Sequence, residues 1–141
     1  MSIEPTATLY LPALACLAAS GLLLVVQLLI ADIAGIRRGH RAGFPVAADP
    51  SRFHFRAMRA HANLNESIAA FVAVLVAAMV VGAPSWAVNV FSAVYLAGRI
   101  GHAVMYYANL SLARSVSFGI GLVGIVGVGV AALLAMIGTG V

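Results

Sequence analysis

The chain has 141 residues, of which 63% are hydrophobic and 9% charged, and its formal net charge is +4. Water-soluble domains carry about 25% charged and about 45–50% apolar residues. With a mean hydropathy of +1.07, so small a chain cannot hide its apolar surface from water, and the surplus must face lipid or other subunits. Its cations number eight and all are arginine; in so apolar a setting they exclude a nucleic-acid interface, which needs Lys and Arg spread over a solvated face.

In chain order, Thr6 to Ala31 is free of charge and predicts a first transmembrane helix over residues 6–36. Cys16, the one cysteine, lies inside this run, so no disulfide forms within a subunit. Ala13-Leu14-Ala15-Cys16 has the outline of a lipoprotein box. The charge ahead of it is Glu4, however, where a signal peptide needs a positive segment, so the stretch reads as a retained helix. Gly39 to Ser51, rich in Gly, Ala and Pro, predicts a surface loop. Ser67 to Gly98 is uncharged but too long for one straight span, and Gly82-Ala83-Pro84-Ser85 divides it. Helices are expected over 54–81 and 84–107, with Pro84 in the first turn of the latter. A fourth is expected over 113–139, where Gly119, Gly121, Gly124, Gly127 and Gly129 form a packing face. The expectation is one all-α domain, residues 1–141: a four-helix transmembrane bundle.

Length places the middle charges. Ser67 to Val81 spans roughly 22 Å at 1.5 Å per residue, less than the roughly 30 Å of hydrocarbon. The second helix must therefore begin before Glu66, and Pro84 to Arg99 covers a similar length in the third. Glu66 and Arg99 are thus expected at similar depth on neighbouring antiparallel helices. Arg37, Arg38, Arg41, Arg52, Arg56 and Arg114 cluster at two of the connections, as do the four histidines, whereas the turn at 82–85 and both termini lack cations. The positive-inside rule then predicts an integral, multi-pass protein of a bacterial inner membrane with both termini outside the cytoplasm.

Arg59, Asn63 and Glu66 recur at helical spacing and share one face of the second helix; Arg99, His102 and Tyr106 do so on the third. Ionisable groups inside a membrane are costly and mark pathways or binding sites. Two such stripes predict a polar pocket open toward the cytosol. A plain Glu66–Arg99 ion pair that fixes helix register is the simpler account of those two residues, but it leaves Arg59, His61, Asn63, His102 and Arg114 unexplained. His61 and His102 have no carboxylate or thiol at ligand spacing, and arginines repel a cation, so no metal is expected. Tyr95 and Trp86 read as packing or interfacial aromatics.

The segment Arg59-Ala60-His61-Ala62-Asn63-Leu64-Asn65-Glu66 resembles the R-A-H-x-N-x-x-E signature of the microsomal glutathione transferases. These belong to the membrane-associated proteins in eicosanoid and glutathione metabolism, abbreviated MAPEG. The four-helix layout, the basic first loop, Arg99 and Tyr106 extend the likeness over most of the chain. It implies a homotrimer with glutathione as co-substrate between subunits and a hydrophobic small molecule as second substrate. Arg38, Arg59, His61, Asn63, Glu66, Arg99, His102 and Tyr106 would bind glutathione, and Arg114, just before the fourth helix, would be the catalytic arginine that stabilises the thiolate. Ser67 and His102 stand where the leukotriene-forming member has tyrosines, which argues against eicosanoid substrates. The sequence leaves three functions open: a glutathione-dependent transferase or peroxidase, a non-catalytic binder of lipid or thiol, and a transporter, channel or structural subunit. For the last, polar residues are scarce in the outer halves of the spans, so no continuous path is evident.

Overall fold

The computed structural model describes residues 8–138; the expected helix ends at 6 and 139 fall outside them. Four helices follow one another: α1 (Leu11–Ile36), α2 (Phe53–Val80), α3 (Ser85–Tyr107) and α4 (Ser111–Gly138), with no strand among the described residues. α1, α2 and α4 are each long and apolar enough to cross a membrane. α3 has the length, 23 residues or roughly 34 Å, but carries Asn89, Arg99 and His102. It turns the last two inward, buried at 1% and 5% exposure.

Backbone chemistry sets the ends of the helices. α2 stops at Gly82, whose φ of 67° is a left-handed value that Cβ-bearing residues avoid. The Ala83 N–H then bonds the Ala78 carbonyl at 2.9 Å and the Gly82 N–H bonds that of Met79 at 3.3 Å, the paired closure of a Schellman stop. Pro84 follows as the N-cap of α3, one position ahead of the helical turn expected to hold it. α3 stops the same way on Asn109 (φ 59°), with Leu110 N–H on Met105 O at 2.9 Å. The connection is so short that α4 begins at Ser111. Arg114 is therefore not ahead of the fourth helix but inside its first turn, its N–H on Leu110 O at 3.0 Å.

The packing is that of a lipid-immersed bundle. The buried residues of α1 are Ala13, Ser20, Gln27, Ala31 and Gly35, small or polar at helical repeats, while Leu22, Val25 and Leu29 face outward. In lipid, large apolar side chains gain nothing by burial, and small ones let helices approach. At one end Asn89 of α3 ties down α1, accepting from Ala13 N at 3.1 Å and donating to Leu9 O at 2.9 Å. At the other, a Cβ on Gly35 would lie 3.0 Å from His54 Nε2 of α2. α3 and α4 pack closest. A Cβ on Gly98 would collide with the Gly121 backbone, and one on Gly124 would lie 2.5 Å from Tyr95 N. Gly119 is outside this seam, with nothing near its missing side chain. The core runs through Leu64, Phe71, Leu75, Val88, Tyr95 and Val128.

Candidate functional site

Helical geometry divides the Arg59–Glu66 segment of α2. Ala57, Ala60 and Leu64 form the face packed into the bundle, at 0–1% exposure. Asn63, one position before Leu64, is half-buried and reaches α3, and Arg59 and Glu66 point away from the bundle and are exposed. Glu66 is thirteen residues beyond the first residue of α2, roughly 20 Å along its axis.

On α3 the decisive side chain is Arg99. Its Nη1 donates to Asn63 Oδ1 at 2.8 Å, while its buried Nε and Nη2 have no hydrogen-bond partner among the described residues. The guanidinium carbon stands 5.4 Å from the Tyr95 ring centre and 5.0 Å from that of Phe118 on α4. The faces of those rings supply part of the missing counter-charge. Gly121 makes room for it: a Cβ there would lie 3.1 Å from Arg99 Nε. Tyr95 itself is fixed by stacking on Phe71 at 4.1 Å and by its hydroxyl 3.2 Å from Ser67 Oγ.

The cluster continues toward the basic end of the bundle. His102 meets Tyr106 edge-on at 5.0 Å and lies 5.8 Å from Phe118. The Arg114 guanidinium caps the Tyr106 ring at 4.4 Å. Thus Asn63, Arg99, His102, Tyr106 and Arg114 come together, with Tyr95 and Phe118 among them. Phe118 carried no signal in the sequence beyond being one more apolar residue in the fourth run. Tyr95 is a packing residue as expected, though it also supports the buried arginine.

Within the described residues, three of the sequence readings meet a different geometry. Arg99 pairs with the neutral amide of Asn63 and forms no ion pair with Glu66, because Glu66, one turn further along α2, points outward and is exposed. Arg59 and Glu66 are exposed and close no pocket with α3 among the described residues. Arg38, exposed at the end of α1, shares a cavity with His40, Arg52 and His54, apart from the α3–α4 cluster. His61 is half-buried, with an Nδ1 that is sequestered and unpartnered. No group of three or more metal-ligating side chains occurs among the described residues.

The MAPEG family model matches residues 13–134, which takes in all of α2 and α3 and most of α1 and α4. The chain belongs to the MAPEG family. None of the curated proteins matches it. As a MAPEG member it is a membrane protein of a family of eicosanoid and glutathione metabolism, and its buried arginine cluster lies within the matched region.

Proposed function

We propose that this MAPEG member is a glutathione-dependent transferase or peroxidase of the microsomal glutathione transferase type, acting on lipophilic electrophiles. The observation that carries the reading is the excess of cationic donors along the α3–α4 seam: Arg99 keeps two buried nitrogens unpartnered, and Arg114 stands over a ring face. A buried cation without a counter-anion is costly, and an anionic ligand would relieve it.

Glutathione has two carboxylates, one ammonium and one thiol. Arg59 offers the forked donors that suit a carboxylate, and Glu66 suits the ammonium. Both lie exposed deep along α2, where lipid contact would be expensive, so in this reading a neighbouring copy covers them and the assembly is a homotrimer. Asn63 and His61 supply hydrogen bonds to the peptide, and His102 and Tyr106 line the sulfur end. Arg114 stabilises the thiolate, which lowers the thiol pKa from about 8.5. The thiolate sulfur then attacks the electrophilic carbon of a substrate arriving from the bilayer, and the leaving group departs with the bond electrons. Arg38 has no part in this reading because it lines a separate cavity.

A non-catalytic binder of lipid or thiol is the second reading. It is favoured by Ser67, whose hydroxyl donates to Leu64 O at 3.0 Å and meets Tyr95 at 3.2 Å, and so is not free for a sulfur. Adding glutathione to the purified protein separates the two. The enzyme develops a thiolate absorbance in the ultraviolet and turns over hydrophobic electrophiles, whereas the binder gains thermal stability without turnover.

A further inference from the structure

We propose that the basic end of α1 and α2 forms a second site, distinct from the arginine cluster of α3 and α4, that binds the phosphate of an anionic phospholipid. Arg38, His40, Arg52 and His54 line a common cavity of about 240 Å³. Arg38 and His54 also line an adjoining cavity of about 380 Å³, whose other walls are Ile30, Ile33, Ala34, Arg37 and Phe53. Cationic donors thus sit above apolar side chains on the last turns of α1, the order in which a lipid presents its headgroup and acyl chain to a membrane protein. Basic pockets between transmembrane helices bind such headgroups.

Two further observations point to a ligand. His54 is 7% exposed and lines both cavities, yet forms no hydrogen bond with a described residue; its neighbour is the His40 ring, edge-on at 4.9 Å. Gly35 leaves it that position, since a Cβ would meet Nε2 at 3.0 Å. Arg52, His54 and Phe55 also bring the start of α2 to the smaller cavity, and no side chain caps that helix. Its first N–H groups and positive dipole end therefore favour an anion there. Asp49 engages only Nε of Arg52, at 2.8 Å, which leaves its terminal nitrogens available. Inorganic phosphate shares the headgroup chemistry, but the apolar walls favour the lipid.

The test titrates the full chain in neutral detergent with short-chain phosphatidylglycerol, phosphatidylcholine of equal chain length, and inorganic phosphate, counting bound lipid by native mass spectrometry. Phosphatidylglycerol is expected to bind at least tenfold tighter than either alternative. Arg37→Gln and Arg52→Gln should each weaken it at least fivefold, and Arg41→Gln, which lines neither cavity, should leave it unchanged. Equal retention of the two lipids, inorganic phosphate binding as tightly as phosphatidylglycerol, or an equal loss in Arg41→Gln would overturn the proposal. Arg37 is exposed, so its variant carries the test should Arg52→Gln fail to fold. Glutathione turnover measured in parallel is independent of the outcome, because neither substituted arginine belongs to that site.

Discussion

Arg99 lies where residue 121 lacks a side chain: a Cβ on Gly121 would meet the Arg99 Nε at 3.1 Å. The glycine of one helix thereby decides whether the cation of the next can stay buried. The glycines of α4 should accordingly rank by what their missing Cβ would strike. Of Gly119, Gly121 and Gly124, Gly124→Ala meets backbone that cannot yield, at 2.5 Å from Tyr95 N, and should cost the most, about 1–3 kcal/mol or more. Gly121→Ala meets a side chain that can shift, and should cost less. Gly119→Ala meets nothing and should be neutral or gain up to about 1 kcal/mol from helix propensity. Melting in detergent checks the order; an equal loss at 119 and 124 would contradict it.

Asn63 Oδ1 accepts from Arg99 Nη1 at 2.8 Å, the hydrogen bond that joins α2 to the buried cation. Asn63→Leu removes it, and should destabilise the protein by about 1.5–3 kcal/mol, as for a lost hydrogen bond to a charged group. Asn63→Leu combined with Arg99→Met should recover much of that loss, because no charge is then stranded. A double-mutant cycle on thermal unfolding measures the coupling, and additive losses would show that the two side chains act independently.

Arg114, over the face of Tyr106 at 4.4 Å, should govern chemistry more than folding. Arg114→Ala is expected to reduce turnover by about 10²–10³-fold, the usual effect of removing one stabilising donor, and to abolish the thiolate absorbance with little change in melting. Arg114→Lys should restore part of it through charge alone. Normal thiolate formation in Arg114→Ala would move the catalytic role to Arg99.

The loop before α2 should loosen in acid. Asp49 accepts from Ser51 Oγ at 2.6 Å and Ser51 N at 3.0 Å, as well as from Arg52 Nε at 2.8 Å. The two Ser51 bonds, followed by Arg52, hold its carboxyl below the ordinary 3.8. A lowered folded value means that this contribution is complete above 3.8 and disappears as pH falls through the folded value. Hydrogen exchange of residues 49–52 should therefore accelerate as pH drops below that point, after correction for intrinsic rates. Asp49→Asn should flatten the response. An unchanged profile in that variant would assign the acid sensitivity elsewhere.

Composition and local chemistry alone determined much of this protein. An excess of apolar residues requires lipid, Gly82 with Pro84 breaks the long middle run, and the charge-free stretches on either side of that break place Asn63 on the second helix and Arg99 on the third, because such features depend only on near neighbours in the chain. The side of α2 that meets α3 was decided by tertiary packing. Ala57, Ala60 and Leu64 form the face buried in the bundle, and that choice brings Asn63, at its edge, to Arg99 while turning Glu66 away. Residues seven apart share a helix face whatever lies opposite, so spacing showed that Arg59 and Glu66 belong together but could not show whether they face a helix of the same protomer or its outside.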